Sequence, residues 1–204
     1  MQNGLNLKQQ GVVTFDRDGF DEACGALMQL VVQDGWPDAL VGIRTGGLYV
    51  AESMAKSVGF SLPVMTLTCR RPSTAAKSKF SAVKKIVSSL PRPVLDKLRL
   101  IEHAMLTKTS RRVRPEGYSF DQSELAILED WLREAGPNPS IVVVDDAVDT
   151  GATLSLVLDA VSQRAPGGLV RSAVITVTTA LPWATPRYTL YRRQLCRFPW
   201  SLDA

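Results

Sequence analysis

Two short stretches of the chain concentrate residue types that handle a charged, hydroxylated ligand. Val142 to Leu154 reads VVVDDAVDTGATL. Its second half, Asp149-Thr150-Gly151-Ala152-Thr153, has the composition of a tight turn opening a helix, where backbone N–H groups lacking intrahelical partners attract a phosphate. Thr150 and Thr153 add hydroxyl donors, and Gly151 leaves room for the anion. The first half places Asp145 and Asp146 at the end of an apolar run. Ionised carboxylates only accept hydrogen bonds, so the pair suits a vicinal diol, whose two hydroxyls donate. A ribose phosphate carries both features, separated by the sugar ring. Two adjacent acids could instead hold a metal directly, or cap the strand at the surface. The second stretch, Ile43-Arg44-Thr45-Gly46-Gly47, joins a planar cation to glycines that allow a tight turn and close backbone approach, which suits a diphosphate.

Both stretches need strands to aim them. Ala39 to Arg44, Leu62 to Thr68, Ile141 to Asp145 and Ala173 to Thr179 are short β-rich runs, three of them mostly apolar on both alternating faces, as strands covered on two sides are. Helical stripes lie between them: Phe20, Cys24, Leu27 and Val31; Leu48, Ala51, Ala55 and Val58; Leu154, Val157, Leu158 and Val161. Alternating strand and helix predicts an α/β domain with a central, mostly parallel sheet flanked by helices. Ligands of such sheets bind beyond the carboxyl ends of the strands, where both stretches fall. Residues 70–138 break the rhythm with a basic loop over 70–81 and a helix starting at Pro93 with Val94, Leu98, Ile101 and Met105 on one face. A second basic loop covers 108–117, and Asp121-Gln122-Ser123-Glu124 then resembles a capping box before Leu125, Leu128 and Trp131 or Leu132. We read one domain over 1–204, with a helical insertion at 70–138 and a small C-terminal hood at 181–204.

Bulk properties narrow the class. The 204 residues are 45% apolar, enough for one substantial core. No apolar run approaches a membrane span, and MQNGLNLKQQ lacks the order of a secretory signal, so a cytoplasmic location with no membrane partner is expected. Cys24, Cys69 and Cys196 are odd in number and widely spaced, and His103 is the single histidine, which argues against a disulfide framework or a structural zinc site. Cys24 reads as a small core residue and His103 as a helix residue without a catalytic role. Positive charge is local: residues 70 to 120 carry +10, and the rest of the chain −6. Such a block can serve a polyanionic substrate, a nucleic acid or solubility.

VVVDDAVDTGATL resembles the phosphoribosyl-diphosphate (PRPP) binding motif of the type I phosphoribosyltransferases at all its defining positions, and VGIRTGG at 41–47 resembles their pyrophosphate loop. Phe198-Pro199-Trp200 is similar to the close of the xanthine and hypoxanthine branch. The resemblance implies a Mg²⁺-dependent enzyme that transfers the phosphoribosyl group of PRPP to a nitrogenous base with release of diphosphate. It implies that Asp145 and Asp146 hold the ribose hydroxyls, that Thr150, Gly151, Ala152 and Thr153 bind the 5′-phosphate, and that Arg44, Thr45 and Gly46 face the diphosphate. Mg²⁺ would bridge that diphosphate, with no residue assigned as a metal ligand. Asp149, also in the PRPP site, is implied as the general base beside the nucleobase. The loop at 70–81, with Arg70, Arg71, Lys77 and Lys79, stands where this family keeps a catalytic lid.

The base-binding region departs from the family pattern. Thr178 or Thr179 stands where the purine enzymes place a lysine, and Leu195 where the xanthine branch has its stacking aromatic. Trp183, Tyr188 and Tyr191 are the available substitutes. The acceptor base is therefore open. An alternative of another class is a PRPP-binding regulator that contacts RNA or DNA through the basic segment. Apolar insertion helices also offer a homodimer face.

Overall fold

The computed structural model describes residues 11–70, 117–180 and 182–201. The expected helix from Pro93, His103, most of both basic loops and the face proposed for a dimer lie outside them. The described chain runs β1 (Val13–Thr14), α1 (Arg17–Val32), β2 (Ala39–Ile43), α2 (Gly46–Lys56), β3 (Val64–Leu67), β4 (Cys69–Arg70), β5 (Ser119–Phe120) and α3 (Gln122–Glu134). It continues through β6 (Ser140–Val148), α4 (Ala152–Arg164), β7 (Leu169–Val177), β8 (Tyr188–Arg192) and β9 (Cys196–Arg197).

Five strands form the central sheet in the order β3-β2-β6-β7-β8, every pair parallel. The expected α/β architecture is present. Alternation along the strands sends Leu40, Val142 and Val144 to one face, where they pack with Cys24, Leu27, Met28 and Val31 of α1 and Val50 and Met54 of α2. Val41, Ile141 and Val143 point the other way, against Leu125 and Leu128 of α3 and Leu154, Val157 and Val161 of α4. Cys24 is fully buried, and burial pushes its thiol up to about 12, as suits a core residue rather than a nucleophile.

Three sequence expectations shift in detail. The buried face of α2 is Gly47, Val50, Ala51, Ser53 and Met54, with Leu48, Ala55 and Val58 only half-buried. The cause is steric: a Cβ at Gly42 would lie 2.6 Å from the Cα of Leu48, and one at Gly47 would lie 2.3 Å from the Val144 carbonyl oxygen. Helix backbone therefore rests directly on β2 and β6, and the apolar face turns to follow that contact. The C-terminal segment is not only a hood. Tyr188–Arg192 joins the sheet edge beside β7, β9 pairs with β1, and Phe198 enters the core, stacked on Phe15 at 5.8 Å. Finally, the insertion closes by pairing β5 antiparallel to β4, which delivers α3 to the carboxyl end of β3.

A buried cation fastens the opposite end of the sheet. Arg171 of β7, 3% exposed, donates from Nη1 to the Val31 carbonyl at 3.2 Å and from Nη2 to the Gly35 carbonyl at 3.0 Å, at the C-terminus of α1. Its guanidinium also donates to the hydroxyls of Ser140 and Tyr188.

The glycine contacts give an opposed pair of expectations. Gly42→Ala should lower the unfolding free energy by about 1–3 kcal/mol through overpacking. Gly25→Ala, inside α1 with its nearest neighbour, the Ser57 Cβ, at an ordinary 3.8 Å, should instead raise it by roughly 0.5–1 kcal/mol. Urea melts of the two variants measure both.

Candidate functional site

The strand order contains one reversal point, between β2 and β6, where the chain leaves in opposite directions on the two sides. In open parallel sheets this is the crevice that binds ligands. Here the two chemistry-bearing stretches meet. Arg44, Thr45 and Gly46 leave β2, while Asp145, Asp146, Asp149, Thr150, Gly151, Ala152 and Thr153 follow along β6 and into α4. All ten line one cleft of about 250 Å³, together with Ile43, Cys69, Ala147, Val148 and Leu154.

The helix starts differ in a way that matters for an anion. Two of the helix starts are capped: α1 by Asp16, which accepts from Gly19 N at 2.8 Å, and α3 by Asp121, which accepts from Ser123 N at 3.1 Å. At the cleft, α2 and α4 begin at Thr45 and Gly151 with no side-chain cap, and neither has an acid in its first turn. The positive ends of their dipoles lie at the cleft, with Asp146 beside the start of α2 and the Thr150 hydroxyl accepting from Ala152 N at 3.3 Å in α4. Gly151 takes the left-handed conformation, φ 78°, which a residue with a Cβ would resist. That side of the turn is also closed by protein. A Cβ at Gly151 would lie 2.8 Å from Ala184 N, and Trp183 N donates to the Thr150 carbonyl at 2.7 Å. On that side the glycine makes room for residues 182–184.

The two acids are not equivalent. β6 does not stop before them but runs to Val148, because Asp145, Ala147 and Val148 keep their pairing with Val174, Thr176 and Val177. The pleat therefore sends Asp145 and Asp146 to opposite faces. Asp146 lies against α2, where a Cβ on Gly46 would sit 2.0 Å from its Oδ2. This close approach by itself demands a glycine there. Burial raises the Asp146 carboxyl above its usual range, partly offset by its side-chain interaction with Asp145 and by hydrogen bonds from backbone N–H groups and the Trp200 indole. Trp200 in turn stacks on Phe198 at 5.1 Å and meets Tyr49 at 4.8 Å. The Phe-Pro-Trp segment thus reaches the acid pair from the core side.

Asp149 lies in the turn after β6, and the Thr178 hydroxyl is 3.2 Å from its Oδ1. Thr179 is buried. Of the three aromatics that could meet a base, Tyr188 is buried with its hydroxyl donating to Asp34 at 2.7 Å, and Tyr191 packs edge-on against Phe15. Trp183 is about half exposed beside the turn that opens α4. Among the described residues, no group of three or more His, Cys, Asp or Glu side chains gathers as a metal cage, and no helix is long and apolar enough to cross a membrane.

Sequence reasoning missed two contributors. Cys69 lines the cleft, and its place at the carboxyl end of the β3 run was the available signal. Glu124 was read only as part of a capping box, but Asp121 N donates to the Thr68 carbonyl and the Glu124 side chain turns outward to Thr68 and Arg44.

Comparison with known proteins supplies the family. The chain matches the phosphoribosyl transferase domain over residues 16–197. It belongs to the phosphoribosyltransferase family. No curated protein sequence matched it. Among solved structures, the phosphoribosyltransferase chain is similar to a purine phosphoribosyltransferase from Pyrococcus horikoshii Ot3, with a TM-score of 0.58 at 19% identity over 93% of both chains. It is similar to a xanthine-guanine-hypoxanthine phosphoribosyltransferase from Helicobacter pylori, with a TM-score of 0.56 at 16% identity over 95% of both. A hypothetical protein from Neisseria gonorrhoeae with bound ppGpp gives 0.57 at 16% identity, over 96% of this chain and 93% of that one. At these identities the likeness is one of fold, and it extends across nearly the whole phosphoribosyltransferase chain.

The buried carboxyl of this phosphoribosyltransferase has a testable signature. A folded-state value above the unfolded 3.8 means that the folded state disfavours the ionised Asp146. The penalty is absent below about pH 3.8 and grows as pH rises through the folded value. Asp146→Asn should therefore raise Tm at pH 7 by about 2 °C or more, with the gain shrinking as the pH approaches 4, in parallel thermal melts.

Proposed function

We propose that the protein binds PRPP and transfers its phosphoribosyl group to a nitrogenous base, releasing diphosphate in a Mg²⁺-dependent reaction. The observation that carries this reading is the pair of uncapped, acid-free helix starts at opposite sides of one cleft, with two carboxylates between them. Three chemical features of PRPP ask for that arrangement: a 5′-phosphate, a vicinal diol and a diphosphate.

In this reading the first turn of α4, with Thr150 and Thr153, holds the 5′-phosphate. Asp145 and Asp146 accept from the ribose hydroxyls. Arg44, Thr45 and Gly46 face the diphosphate, where a planar cation stabilises the charge that grows as the C1–O bond breaks. Asp149 takes the proton from the incoming base nitrogen as the C–N bond forms, and the Thr178 contact orients one of its oxygens.

The donor set fits Mg²⁺. Two carboxylates lie beside a diphosphate arm, all hard oxygen, and an ion that keeps its waters and rides on phosphates needs no protein cage. Asp145 and Asp146 are the residues that would hold it, directly or through water, and bound there it would neutralise diphosphate charge. The raised Asp146 carboxyl is ionised more readily with such a cation nearby.

The acceptor is a base that Asp149 can deprotonate. Its other contacts come from Thr178 and from Trp183, which offers an exposed ring beside the phosphate turn. A purine-like base fits a ring of that size. The reading of a nucleic-acid regulator rests on the basic segment, which lies almost wholly outside the described residues.

Incubation with PRPP and Mg²⁺ against purine and pyrimidine bases, following diphosphate, tests the proposal. Release with at least one base is expected. PRPP binding with no release from any base would overturn it, and RNA retention that weakens steeply with salt would then point to the regulator. Asp149→Asn should lose about 10²-fold or more in kcat while PRPP affinity stays within about tenfold. Loss of PRPP binding in that variant would remove Asp149 from the role of base.

A further inference from the structure

Among the described residues of the insertion, Glu124 is the acid set against the diphosphate loop. It occupies the third position of α3, and its side chain is only 12% exposed. Oε2 accepts from Thr68 N at 2.5 Å and Oε1 from the Thr68 hydroxyl at 3.1 Å. Oε1 also lies 3.4 Å from Nε of Arg44, whose side chain is about half exposed. The helix does not need this carboxylate as a cap, because Asp121 already accepts from Ser123 N. Two hydrogen bonds to Thr68 hold the carboxylate still. The contact is an ion pair on the Nε side of a planar guanidinium, so it biases the direction of the two Nη groups.

We propose that Glu124 is a positioning residue for the diphosphate arm: it acts through Arg44, holding the guanidinium in the orientation that meets the diphosphate of PRPP. The inference rests on the functional reading above. It makes the returning end of the insertion part of the arm, because α3 arrives there through the β4–β5 pairing. Two effects of Glu124 oppose each other. Its negative charge repels an anion, while its hold on Arg44 spares the ordering of a long, half-exposed side chain when ligand binds. Two hydrogen bonds from Thr68 and the neighbouring guanidinium take up most of that charge, so the ordering effect is the larger.

Glu124→Gln separates the two, since it keeps an acceptor for Thr68 and removes the charge that holds Arg44. Calorimetric titration with Mg²⁺-diphosphate and with PRPP should show both binding about three- to tenfold more weakly, with Tm within about 2 °C of the wild type. In an Arg44→Gln background the same change should alter affinity by less than about twofold. Unchanged or tighter binding overturns the proposal, tighter binding being the result if Glu124 acts only through its charge. Equal losses in both backgrounds also overturn it. If the Gln variant does not fold, the Nε–H resonance of Arg44 in ¹⁵N-arginine-labelled wild-type protein, assigned by its loss in Arg44→Lys, provides the test. Slowed solvent exchange before ligand is added supports the proposal, and exchange at the rate of an open side chain overturns it. Wild-type protein that binds neither ligand sinks the functional reading and this inference together. Wild-type binding with no change in Glu124→Gln sinks this inference alone.

Discussion

The register between β2 and β6 determines most of what happens at the ligand end of the molecule. Gly42 pairs with Val144. Both strands open into one cleft just beyond that pair, so Arg44 and the two acids line it together without any long-range device. The same register lets α2 settle on bare backbone at Gly42, Gly47 and Val144, which brings its first turn down against Asp146. A slip of one residue would turn both carboxylates to the wrong faces and drive a side chain into the helix.

The cleft combines charges that would repel one another if they were not separated by the fold. Helix dipoles enter from α2 and α4, and carboxylates from β6. One acid is partly withdrawn beneath α2, where burial works against its ionisation and an indole from the C-terminal segment offsets part of the cost. The other extends from the opposite face of the strand. The pleat alone thus sends two neighbouring acids to opposite sides of the strand.

The sheet and most of the cleft were legible in the sequence because their signals are local. Four apolar strands, three amphipathic stripes and an acid-acid-turn motif each lie within a few contiguous residues. What was not legible depends on contacts between distant segments. Nothing near Tyr188 to Arg192 in sequence says that it adds a sheet edge, since that depends on β7 leaving an unpaired side. The spacing around Gly46 and Gly151 marked both as special, but the reason assigned, proximity to a ligand, differs from what surrounds them: Asp146 in one case and residues 182–184 in the other. Glu124 looked like a cap because the local pattern was right, and only the return of the insertion beside Thr68 gave its carboxylate a better partner.

The pairing of β1 with β9 and the stacking of Phe198 on Phe15 carry a consequence for the order of events during synthesis. Phe15 and Phe20 are made early, yet the rings that cover them belong to residues 198 and 200. The first helix must wait on the ribosome with that end of its apolar face open, and contacts so far apart in the chain are slow to close. The tryptophan that steadies the acid pair arrives in the same late step. Completion of the core and maturation of the cleft are therefore one event, and a nascent chain lacking this segment would lack both.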